Sequence, residues 1–83
     1  MWQQGYENDP SYHCIKRNRY TLGISTRTKK GIYAGRVCTW NVFIIFHFWH
    51  YGYVQINNEF VGTLDEAKQY AENELNKLKE DFL

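Results

Sequence analysis

Eighty-three residues fall below the ~100 to 150 usual for a domain, so the chain reads as one domain with a small core. Fifteen aromatics (three Trp, seven Tyr, five Phe) give it large apolar area per side chain and favour folding over disorder. The net charge of +1 hides a separation. Between Pro10 and Asn58 there are seven cations and no acid, whereas from Glu59 to Leu83 seven acids face three lysines.

Cys14 and Cys38 stand alone rather than as a CxxC pair, and the N-terminus lacks a basic region followed by an apolar one. Both features argue against secretion, so a reduced, cytoplasmic protein is expected. The longest apolar run, Val42 to Val54, is broken by His47, His50 and Gly52. It is far short of the ~20 residues of a spanning helix, and no membrane partner is expected.

In chain order, residues 1 to 11 have no period and contain Gly5 and the only proline, and they read as an N-terminal tail. Trp2 and Tyr6 are its two side chains able to dock on a core. Residues 12 to 83 form the domain. The alternation of Tyr20, Leu22 and Ile24 predicts a half-buried strand, and the basic stretch Ser25 to Gly31 suits a hairpin tip. Residues 32 to 37 suit a short strand.

Trp40 to Phe48 is rich in β-branched and aromatic residues and predicts a long strand. One face carries Trp40, Val42, Ile44, Phe46 and Phe48; the other carries Asn41, Phe43, Ile45, His47 and Trp49. A strand apolar on both sides is central in its sheet and needs cover on each face, and one helix covers only one. Farther on, Asn57-Asn58 predicts a two-residue hairpin turn, since Asn tolerates positive φ.

Thr63-Leu64-Asp65-Glu66 matches a capping box and predicts a helix over residues 63 to 82. Asp65 and Glu66 sit where the helix dipole favours negative charge. Leu64, Ala67, Ala71, Leu75, Leu78 and Phe82 recur at steps of three and four and form one apolar stripe to lie on the sheet.

Three histidines and two cysteines raise the question of zinc. Adjacent His13 and Cys14 diverge on a strand, and His47 and His50, three apart, point to opposite faces, so no metal or other cofactor is expected. The same argument weakens Cys14 as a nucleophile. Without a Ser-His-Asp arrangement, a carboxylate pair in an apolar setting or a glycine-rich phosphate loop, no enzyme is expected.

The remaining signal is cations interleaved with aromatics, the residue types that hold phosphates and stack under bases. Arg17, Arg19, Arg27, Lys29, Lys30 and Arg36 are the candidate phosphate contacts, and Trp49, Tyr51 and Tyr53 the candidate stackers. A three-stranded sheet can also enter the major groove of a duplex. The plainer account makes the basic run a solvated hairpin tip and the aromatics core. A protein partner, or a homodimer through an exposed aromatic sheet face, has nearly equal support.

The segment from Gly52-Tyr53-Val54-Gln55-Ile56 through Val61-Gly62-Thr63-Leu64-Asp65-Glu66-Ala67-Lys68 resembles the C-terminal half of short phage and prophage proteins. In these a Trp-containing strand and a hairpin lead into a closing helix. More distantly, the layout is similar to integrase arm-binding and AP2-type DNA-binding domains. The linker between Val-Gly and Thr-Leu is contracted here, and no base-reading residue is matched by position. The resemblance therefore implies a β-β-β-α shape and a phage-like setting in the host cytoplasm, but no site. Proteins of that group include DNA-binding regulators and inhibitors of host defence.

The combined expectation is an α+β domain with an antiparallel sheet of three to four strands packed on one C-terminal helix. It binds nucleic acid, DNA ahead of RNA, through a basic and aromatic sheet face; the alternative is a protein that inhibits a host factor.

Overall fold

The computed structural model describes residues 2–6, 9–26, 35–48 and 52–82. Five strands precede one helix: β1 (Gln3–Tyr6), β2 (Asp9–Lys16), β3 (Tyr20–Thr26), β4 (Cys38–Phe48), β5 (Gly52–Gly62) and α1 (Leu64–Phe82). The strands lie side by side in chain order, every neighbour pair antiparallel. This is the expected α+β architecture, an antiparallel sheet on one C-terminal helix. The fifth strand comes from the segment expected as a tail, which contributes β1 and the start of β2. β1, which lacks any apolar period, is held by backbone pairing to the Cys14 and His13 positions.

Two further expectations are corrected. Asn57 and Asn58 do not form a turn; they lie inside β5, opposite Phe43 and Val42. Local turn preference yields because an unbroken ladder from Cys38↔Gly62 to Phe48↔Gly52 pairs the inward-facing backbone groups of all of β5 with β4. The short strand expected over 32–37 is not seen at its describable end, where Gly35 has a φ of 70° in a turn leading into β4. Residues 27 to 34 lie outside the described set.

The core lies between the sheet and α1, which packs on β3, β4 and β5. Leu22, Ile24, Trp40, Val42, Ile44 and Phe46 from the sheet meet Ala67, Ala71 and Leu75 from the helix, with Leu64 and Leu78 at the margins. Each large apolar side chain so buried contributes roughly 1.5 to 3 kcal/mol. The two alanines let α1 approach the sheet where Trp40 and Phe46 already fill the space. Trp40 is fully buried, and its indole N–H donates to the carbonyl of Gly62 at 3.0 Å.

The helix start has the expected capping geometry. The Thr63 amide donates to Glu66 Oε1 at 2.9 Å, and the Glu66 amide donates to Thr63 Oγ1 at 3.3 Å. Phe60 stacks on Tyr70 with ring centroids 4.6 Å apart, tying β5 to the helix. At the other end of the chain, Trp2 packs against the core and donates from Nε1 to Glu72 Oε1 at 2.8 Å, so β1 is anchored to α1.

Candidate nucleic-acid interface on the helix-free sheet face

Strand registers define what the uncovered face displays, because residues opposite each other in a ladder share a face. One row runs Gln3, Cys14, Gly23, Phe43, Asn57. Flanking rows run Lys16, Thr21, Ile45, Gln55 on one side and Tyr12, Ser25, Asn41, Glu59 on the other. Beyond Ile45, His47 pairs with Tyr53, and the His47 amide donates to the carbonyl of Arg19 at 2.8 Å.

Among the described residues, this second face closes over itself at its centre. The Phe43 ring lies across Gly23 and stacks on Tyr12, with centroids 5.8 Å apart. A ring over a strand glycine supplies the cover that the missing side chain would have given. Cys14, in the same row, is buried although it faces away from the helix. Around this patch the face is wet: Lys16, Asn41, His47, Gln55, Asn57 and Tyr53 are exposed, and Gln55 Nε2 donates to Asn57 Oδ1 at 3.1 Å.

The described acids are concentrated on one side, on a helix that also carries Lys68, Lys77 and Lys79. Of the acids with described side chains, Asp65, Glu66, Glu72, Glu74 and Glu80 belong to α1, and Glu59 alone sits on the uncovered face. The Glu66 carboxyl is held below its usual range, mainly by the backbone amide of Thr63 and then by its hydroxyl. Among the described cations, Lys16, Arg17 and Arg19 gather at the β2–β3 turn, which the Arg17 amide closes by donating to the Tyr20 carbonyl at 2.8 Å.

The candidate residues therefore separate into groups. Arg17, Arg19 and Tyr53 are exposed at one end of the sheet, with His47 between the aromatic and the turn. Arg36 is exposed just before β4, at the opposite end; the nine steps from Cys38 to His47 put it about 30 Å away at ~3.3 Å per residue. Arg27, Lys29, Lys30, Trp49 and Tyr51 lie outside the described residues.

Lys16, His47, Asn41, Gln55 and Asn57 are face residues the candidate set lacked. The alternation of β4 already pointed to Asn41 and His47, and reading 52 to 62 as one strand adds Gln55 and Asn57. The thiols of Cys14 and Cys38 are free and lie on opposite faces, Cys14 in the Gly23 row and Cys38 beside Gly62.

No family model, curated protein or solved structure matches the chain. Among the described residues no helix is long and apolar enough to cross a membrane, and no three His, Cys, Asp or Glu side chains converge as metal ligands.

Proposed function

We propose that the chain is a small, non-enzymatic phage-type accessory protein that binds nucleic acid across the sheet face opposite α1, DNA ahead of RNA. The observation that carries this is the juxtaposition at one end of that face. Exposed Tyr53 lies beside His47, next to the cationic turn of Lys16, Arg17 and Arg19, while the acids are concentrated on the far side of the molecule. The cations serve phosphates, and the tyrosine offers a stacking surface. Asn41, Gln55 and Asn57 are amides of the kind that pair with adenine edges in a major groove about 12 Å wide. The deep, narrow major groove of A-form RNA excludes a sheet, which sets the preference for DNA.

The half-buried group Tyr12, Phe43 and Ile45 favours a second reading, an apolar contact with a host protein. A gel-shift titration separates the two. With three phosphate contacts, affinity falls roughly 40-fold between 50 and 200 mM salt, from a slope of about −0.9 per contact. Absence of any shift at the lowest salt rejects nucleic acid.

A further inference from the structure

We infer that β5 is a dimerisation edge, pairing antiparallel with β5 of a second copy about a two-fold axis through Asn57. The two edges of the sheet are unlike. β1 has four residues and an irregular register between Gln4 and Tyr6, whereas β5 has eleven in unbroken register with β4 and no described strand on its outer side. Exposed edges are ordinarily blunted by lysine, proline or a bulge. β5 has no Lys, Arg or Pro.

Among the described residues, three of the four exposed large hydrophobics lie on this one strand: Tyr53 at 64%, Val61 at 65% and Val54 at 39%. Self-pairing keeps faces matched, so the only freedom is which residue lies on the axis. With Asn57 there, all eleven residues pair and the exposed hydrophobic side chains meet apolar partners. On the helix-free face Tyr53 lies opposite Val61 of the second copy and Gln55 opposite Glu59. On the helix side Val54 lies opposite Phe60, which is stacked on Tyr70 of its own helix. α1 starts beside Gly62 and reaches Tyr20 of β3 by Lys79, so it crosses away from the Gly52 end of β5 and leaves Val54 open. The Phe60–Tyr70 pair of the second copy covers that opening.

Moving the axis to Ile56 or Asn58 shortens the ladder and sets Tyr53 against Glu59, or Val61 against Gln55. The result is a continuous ten-stranded sheet with both helices on one side. This inference does not rest on nucleic-acid binding: Tyr53, Gln55 and Asn57 figure in both, but the association is read from mass in the absence of DNA.

The test places charge on the axis, where the two side chains of residue 57 stand about 5 Å apart. Sedimentation equilibrium at about 100 μM, ample for a micromolar association, is expected to give twice the 10.0 kDa of one chain for the unaltered protein. Asn57→Lys and Asn57→Glu each give monomers, with unchanged circular dichroism, and an equimolar mixture of the two restores the dimer. A monomeric unaltered protein, a dimer indifferent to both substitutions, or a mixture that stays monomeric overturns it.

Discussion

Phe43 lies across Gly23 so closely that a Cβ on the glycine would meet the ring's Cζ at 2.0 Å. The two strands β3 and β4 are locked at this point on the face that α1 does not reach, and Tyr12 stacks on the same ring. Gly23 is therefore required by a neighbour's ring, in a strand interior where glycine is otherwise unfavourable.

Gly23→Ala should accordingly destabilise by about 1 to 3 kcal/mol, the usual range for overpacking. A 2 kcal/mol loss lowers Tm by roughly 10 °C in a domain of this size. In a Phe43→Ala background the same substitution should cost little, and Cys14 should react faster with a thiol reagent. Additive melting shifts in the double variant would contradict the close contact.

Trp40 joins the core to the end of β5 through its bond to the Gly62 carbonyl. Trp40→Phe keeps an aromatic but leaves that buried carbonyl without its donor, a penalty of about 1 to 3 kcal/mol beyond the lost volume. Urea denaturation should show a lower midpoint with an unchanged slope. An unaltered midpoint would mean the indole N–H is not a structural bond.

The capping box makes stability depend on acid. The folded-state carboxyl of Glu66 is depressed from its ordinary value of 4.5, so its contribution is complete above that pH and is lost as pH falls through the lower folded value. Thermal melts from pH 6 downward should show a loss that Glu66→Gln removes in part. Thr63→Ala should cost about 1 kcal/mol at neutral pH. If Glu66→Gln leaves the acid limb unchanged, the carboxylate is not held at the helix start.

Elements fixed by neighbours in sequence were the legible ones. The capping box and stripe of α1 need only residues three or four apart, and the two faces of β4 follow from alternation alone. The continuity of β5 was hidden because Asn57 and Asn58 have turn character locally and become strand only by pairing with β4. β1 was hidden because Gln3 to Tyr6 shows no period, its existence depending on the β2 ladder and on Trp2 reaching Glu72 across the fold. The site was legible in part for the same reason. Arg17 and Arg19 are close in sequence, but their proximity to Tyr53 is made by β4, whose His47 bonds to the Arg19 carbonyl and pairs with Tyr53. Arg36 shares the sequence signal and lies at the other end of the sheet.

The central claim is that the helix-free face carries the binding function, and charge reversal on one side against the other tests it most directly. Fluorescence anisotropy of a labelled DNA duplex should show that Lys16→Glu, Arg17→Glu and Arg19→Glu together abolish binding. Each single change should flatten the dependence of log affinity on log salt by about one unit. Lys77→Glu, on the exposed side of α1 where Lys77 pairs with Glu74 at 3.5 Å, should leave affinity unchanged. Equal losses from both sides, or full binding by the triple variant, would contradict the assignment of this face.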